Sequence, residues 1–277
     1  MYEAKPPIGR PMLRRVMHGL ARAVAGAPLL LVLAGGAGVA AQTPESDAQL
    51  PFPTGERLTY RVRTARFGDV GQGVMWVEGP VQVRGRAAYV LHSDVRSRIG
   101  PLKAENHSAS WLDALRMTSL RFEKRERQPL SKRNEAVDLF PTERRWEATD
   151  GTTGASPTDD PLDELSFIYF IRTLTLPADT TYAFDRHFDP ARNPITIRVT
   201  GRETIATGAG DFRTVAIEMR VKDPQRYRGE GVIRIHFTDD HCRLPVRIES
   251  VMPIVGTTVL TLESHTHPPV HFATQAP

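Results

Sequence analysis

Several groups of residues in this sequence have side chains and spacings that chemistry could use. Asp163 and Ser166 stand three apart, and Arg172 follows nine residues after Asp163. On one helix they would form a polar site beneath a sheet, with Arg172 gripping a carboxylate or phosphate through two parallel N–H bonds. A structural reading of the same residues is the favoured one. Asp163 in the first turn favours the helix dipole, Ser166 packs, and Arg172 pairs with a sheet carboxylate such as Glu218 or Glu249. Ser166 lacks the Gly-x-Ser-x-Gly surroundings of a hydrolase nucleophile, and no base is identifiable for it.

The run Asp239-Asp240-His241-Cys242 gathers two acids, an imidazole and the single thiol of the chain. Such types can ligate zinc, but neighbours on a strand point to opposite faces, and structural zinc draws four ligands from separated pairs. A turn between two strands is therefore expected. As carboxylates of a hydrolase, Asp239 and Asp240 would have to face one cleft about 5–10 Å apart. His265, His267 and His271 lie among prolines, where loose, adventitious metal binding is the limit. Gly71, Gly73 and Gly79 do not precede a helix, so they make no phosphate loop. No catalytic set, metal site or cofactor follows from these patterns.

The elements that position these residues are mostly strands. Leu58, Tyr60 and Val62 alternate with polar residues; so do Tyr89, Leu91 and Val95, and Val215, Ile217, Met219 and Val221. Further alternating segments fall at 118–126, 135–140, 144–149, 182–188, 195–200, 203–207, 232–238, 246–251 and 258–263, with an apolar run at 74–77. Gly208 and Gly210 suit a tight hairpin before Phe212. One stretch breaks the pattern: 161–174 carries apolar residues at three- and four-residue spacings, with Asp159 or Asp160 placed to cap it and Pro161 at its first position. Alternation on this scale predicts antiparallel sheets wetted on one face. The fold class is all-β: a large curved antiparallel sheet, half-barrel-like or a two-sheet sandwich, with one central helix. The inward wall would include Leu58, Tyr60, Trp76, Tyr89, Leu91, Phe122, Ile217, Ile235, Phe237 and Ile248.

The chain has 277 residues, 36 of them Lys or Arg and 32 Asp or Glu. The first 41 residues hold five of the bases and one of the acids, so the remainder carries as many acids as bases. No basic surplus is left to collect phosphate counterions, which argues against nucleic acid as a partner. That first segment reads as a signal peptide: Arg14, Arg15 and Arg22, then Leu29-Leu30-Leu31-Val32-Leu33, then small residues ending in Val39-Ala40-Ala41. An uncleaved inner-membrane anchor is the alternative, since 23–41 carries no charge. The expected organisation is a signal peptide at 1–41, a linker at 42–50, a β-rich domain at 51–264 and a flexible tail at 265–277.

Several separated motifs carry a resemblance. Pro51-Phe52-Pro53-Thr54-Gly55-Glu56-Arg57-Leu58-Thr59-Tyr60 resembles the opening of the bacterial domain-of-unknown-function family 3108, as do Asp163-Glu164-Leu165-Ser166, Tyr169-Phe170-Ile171-Arg172, Ala209-Gly210-Asp211-Phe212 and Leu244-Pro245-Val246-Arg247-Ile248. The resemblance spans about Leu50 to Glu263. It implies an exported, β-rich envelope protein and no established activity.

The expectation is thus a periplasmic or envelope-associated binding or carrier module. Its ligand would be a lipid or another apolar or amphipathic envelope molecule, held by Tyr60, Trp76, Tyr89, Asp163, Ser166, Arg172, Asp239 and Asp240. A structural or assembly protein of the envelope with a protein partner is the alternative, and a hydrolase using Asp239 and Asp240 ranks third. Membrane contact is expected only through the leader.

Overall fold

The computed structural model describes residues 50–113, 115–129, 131–222, 230–252 and 256–268; the signal segment and most of the linker and tail lie outside these. Fourteen strands form one antiparallel sheet. Its first arm comprises β1 (Arg57–Thr64), β2 (Gly68–Val83), β3 (Arg86–Ile99), β4 (Leu102–Asp113), β5 (Thr118–Gln128), β6 (Ser131–Phe140), β7 (Arg145–Ala148) and β8 (Thr153–Ala155). The one α-helix among the described residues, α1 (Glu164–Arg172), follows. The second arm comprises β9 (Thr181–Phe184), β10 (Ile195–Thr207), β11 (Gly210–Lys222), β12 (Glu230–Thr238), β13 (Pro245–Met252) and β14 (Gly256–Thr266). Each strand pairs with its neighbours in the chain, and β1 pairs with β14, so the order runs from β8 through β1 and β14 to β9. The sheet is a meander left open between β8 and β9, the two strands that flank the helix in sequence. A single continuous sheet replaces the sandwich alternative.

Tight turns make this order possible. Val83 pairs with Arg86 across Arg84 and Gly85, both at positive φ (48° and 77°), the mirror-image turn that matches strand twist. The expected hairpin before Phe212 is present: Gly208 and Ala209 join paired Thr207 and Gly210, with the positive φ (122°) at Gly210.

The sheet curves around α1. Laid flat, so many strands would span about 60 Å, whereas a nine-residue helix is only about 13 Å long. Yet α1 and its cap reach Ser110 on β4, Ser119 on β5, Glu56 beside β1, and the Cys242 carbonyl between β12 and β13. Seven of the helix residues, from Leu165 to Arg172, are buried, which is the mark of a helix enclosed on most sides. One apolar core runs through Leu58, Tyr60, Leu91, Phe122, Ile217 and Phe237 to Phe167, Tyr169 and Ile171 of the helix.

Several boundaries differ from the sequence reading. The helix begins three residues later than Pro161, because Asp163 caps it: Asp163 Oδ1 accepts from the Leu165 and Ser166 N–H groups, both at 2.9 Å. The strands expected at 195–200 and 203–207 are one strand, irregular near Gly201. β4 and β8 carry no alternation that marks them. β14 continues through His265 and Thr266, two residues past the expected limit at Ser264.

Candidate functional site

Polar residues gather at both ends of α1. At its start Ser110 Oγ donates to Asp163 Oδ2 (2.5 Å), and the Ser119 and Ser166 hydroxyls lie 2.7 Å apart. Ser166 Oγ also accepts from the Asp163 N–H at 2.9 Å, closing a reciprocal capping box. Burial pushes the Asp163 carboxyl up, against the pull of its four donors. Ser166 is thus spent on the cap.

At the other end Arg172 forms a two-point ion pair with Glu56 (2.6 and 2.7 Å). Its remaining N–H groups go to the carbonyls of Pro51 and Cys242. The guanidinium sits 5.3 Å from the ring centres of both Phe52 and Tyr169. His267 Nδ1 lies 2.8 Å from Glu56 Oε2. Burial raises the Glu56 carboxyl, but Arg172 and His267 outweigh it and hold the group below the usual carboxylate range. The partner of Arg172 is therefore neither Glu218 nor Glu249. Those two sit on the outer face, beside Arg220 and Arg247 respectively.

Also at the start of the helix, on its first residue Glu164, lies a charged group that sequence reasoning missed. Lys124, on the inward face of β5, is buried and reaches Glu164 Oε2 at 2.5 Å and Glu126 Oε1 at 3.5 Å. Glu164 also pairs with Arg192. Glu135 stands opposite Lys124, and burial with the nearby Glu164 raises its carboxyl. Its charged neighbours Glu123, Arg125 and Arg127 face outward, so the sequence around Lys124 looks like an ordinary solvated strand. Glu56 lay within a recognised motif but offered no partner until the fold supplied Arg172.

The expected site residues do not form one cluster. Tyr60 and Arg172 come together at the closed end of the helix, the Tyr60 hydroxyl donating to the Pro245 carbonyl at 2.8 Å. Asp163 and Ser166 share the cap, and Tyr89 packs against the core beside Leu112. Asp239 and Asp240 are elsewhere. Asp239 is held by Arg202 and Arg243, while Asp240 Oδ1 accepts from Thr238 Oγ1 and the Cys242 and Arg243 N–H groups. Both carboxylates are occupied in bracing a turn. Among the described residues no group of His, Cys, Asp and Glu is placed to hold a metal ion.

Trp76 is a correction, because it lies on the outer face. The apolar run Val74–Val77 hides its own parity; the register puts Met75 opposite Leu58 and Val77 opposite Leu91, so those two point inward. Outside, Trp76 stacks on His92 (4.5 Å between centres, 7° between planes), carries the Arg57 guanidinium at 5.6 Å, and donates from Nε1 to Glu78. It borders a groove of about 770 Å³ along β2, β3 and the start of β4. Val70, Val74 and Ala104 supply apolar wall; Arg57, Arg96, Arg98 and Lys103 supply positive charge; Asp94 and Glu105 supply negative charge. At Gly71 on its floor, a Cβ would fall 1.9 Å from the Arg96 carbonyl oxygen, so only glycine fits there. Asp94 neutralises Arg96 through two bonds (3.1 and 2.9 Å). Arg98 and Lys103 have no ion pair among the described residues. Two smaller hollows, of about 300 and 270 Å³, lie over β10–β13 and its flank. Their charges satisfy one another, as in His236–Glu203, Arg247–Glu249 and Arg220–Glu218.

Comparison with solved structures shows the fold. A beta-barrel-like protein of domain of unknown function DUF1849 from Brucella abortus superposes with a TM-score of 0.53 at 8% identity, covering 77% of this chain and 98% of that one. A protein described as exported, with a YmcC-like fold, from Bacteroides fragilis gives 0.30 at 13% identity over 78% and 98%. One described as a lipoprotein from Parabacteroides distasonis gives 0.30 at 10% identity over 78% and 98%. No curated protein matches the sequence. The family model for the protein of unknown function DUF3108 covers residues 59–263, and this chain belongs to that family.

Proposed function

We propose that this protein is an exported, non-catalytic binding module of the cell envelope, and that it holds an anionic amphipathic molecule in the groove on its outer face. The sequence-based expectation put an apolar ligand against the concave wall. That space holds α1, packed against the same inward side chains. The groove is the better seat. Its volume lies within the range of small-molecule sites, and it joins apolar wall to fixed charge as an amphipathic ligand requires. The observation that carries the reading is the pair Arg98 and Lys103, whose charges lack a counter-ion among the described residues at the groove's edge, while the two smaller hollows are internally neutralised. Export rests on the leader sequence.

An assembly role through sheet edges has less to use. The edge strands β8 and β9 have only three and four residues, short enough to offer little template for a partner strand.

The test is extraction of small molecules from the gently purified full chain, identified by mass spectrometry. The expected result is an acidic amphiphile retained by the wild type and depleted from Arg98→Glu/Lys103→Glu. Equal amounts in both proteins, or none in either, would overturn the assignment.

A further inference from the structure

One stretch of the meander's rim, formed by turns that are neighbours in the sheet, joins exposed apolar side chains to exposed bases. In an antiparallel meander alternate hairpin turns lie at the same end, so the β1–β2, β3–β4 and β5–β6 turns share one rim with the end of β13. Three large exposed apolar side chains stand on it: Phe67 after β1, Leu102 at the start of β4 and Val251 near the end of β13, 44, 53 and 59% exposed. Charge on the β1–β2, β3–β4 and β5–β6 turns has one sign, whereas the β7–β8 turn further along the same rim holds the exposed Asp150. The segment 64–68 contains Arg66, 98–103 contains Arg98 and Lys103, and 128–132 contains Lys132, with no acid in any of them. All four bases are exposed. Arg66 folds over the Phe67 ring at 5.3 Å, so base and apolar group project together.

The opposite end is mixed. There Arg84 pairs with Asp138, Arg116 with Asp159, Arg145 with Glu143, and Arg243 with Asp239. Leu115 and Val81 are the exposed large apolar residues of that end among the described residues.

We infer that the rim carrying Phe67, Leu102 and Val251 is a docking surface for an anionic lipid bilayer. A bilayer surface matches both features at once. Apolar tips on separate hairpins enter the acyl boundary, while bases beside them meet acidic headgroups, each worth about a fivefold gain in affinity near such a surface. An acidic protein would satisfy the charge but would need a complementary apolar pocket for each of three separated tips. This surface does not depend on the groove being a binding site, although the groove opens beside it through Arg98 and Lys103. It also goes beyond membrane contact through the leader.

The experiment uses the full chain with a tryptophan placed at either end, Leu102→Trp or Leu115→Trp, and vesicles of mixed phosphatidylglycerol and phosphatidylcholine carrying a lipid-borne quencher in the acyl region. The expected result is quenching of the added tryptophan in Leu102→Trp and not in Leu115→Trp. It should be lost with pure phosphatidylcholine, and in high salt, which screens surface charge. Arg66→Glu added to Leu102→Trp should weaken binding fivefold or more. Equal quenching at the two ends, quenching indifferent to headgroup charge, or retention by an acidic polypeptide without any vesicle binding would each overturn the inference.

Discussion

Arg172 and Glu56, 116 residues apart in the chain, meet as a two-point ion pair whose side chains are 1 and 0% exposed. This contact ties the C-terminal end of α1 to the residue that precedes β1. The bonds from Arg172 to the Pro51 and Cys242 carbonyls, and the contact between Glu56 and His267, draw both ends of the described residues to the same point. Burying such a pair confers little net stability against an apolar replacement, but removing one partner strands a charge. Glu56→Gln or Arg172→Met should each cost roughly 3–5 kcal/mol, measured by denaturant unfolding. The double variant should lose clearly less than the sum of the two. Arg172→Lys should also destabilise, because an ammonium cannot make the forked contact.

The same pair sets an acid limit. Glu56 is held below its ordinary value, so its contribution is complete above the unfolded carboxylate range near ~4.3 and is lost as pH falls through the lower folded value. Thermal melts below that range should show Glu56→Gln converging on the wild type.

A second pH dependence belongs to His187. Its Nδ1 accepts from the Asp189 N–H (3.0 Å), which leaves the ring proton on a buried Nε2. Burial, with Arg192 nearby, pushes the imidazole down to about 4 from 6.5. Between those values the unfolded chain binds a proton that the folded one does not, so stability rises with pH across the window and is fully present above it. The span is worth about 3 kcal/mol. His187→Asn, whose amide oxygen can replace Nδ1, should flatten the slope of unfolding free energy between those pH values.

Asp163 combines a helix cap with a buried acceptor. Asp163→Ala should cost about 1–2 kcal/mol for the cap, with a further ~1–3 kcal/mol for the hydroxyl of Ser110 left without its acceptor. Ser110→Ala in the Asp163→Ala background should then be neutral or restorative, a sign reversal that a purely local helix defect would not give. Chemical denaturation of the two single variants and the double variant reads it directly.

Most of the sheet was legible because its inward residues are apolar: β1, β3, β11 and β12 show the two-residue period that burial of one face imposes. β4 was illegible for the opposite reason. Its inward positions Asn106, Ser108 and Ser110 are polar, since they face Glu126 and the Asp163 cap rather than the apolar core. The helix was found by its spacing, but its start was misplaced because two acids before a proline imitate a cap that Asp163 supplies three residues on. Arg172 was recognisable as a paired cation, yet its partner could not be chosen among many acids without the long-range β1–β14 pairing that brings Glu56 to it. Trp76 fell on the wrong face because four consecutive apolar residues carry no parity.

The groove is tested most directly by calorimetric titration of the full chain with dodecyl phosphate, an anionic amphiphile, set against dodecyl maltoside, which has the same tail and no charge. The account requires saturable binding of the phosphate at one site, weakened roughly tenfold or more in Arg98→Glu/Lys103→Glu through loss of charge-assisted bonds, with no saturable binding of the maltoside. Equal affinity for the two amphiphiles, or an affinity for the phosphate that the double variant leaves unchanged, would contradict it.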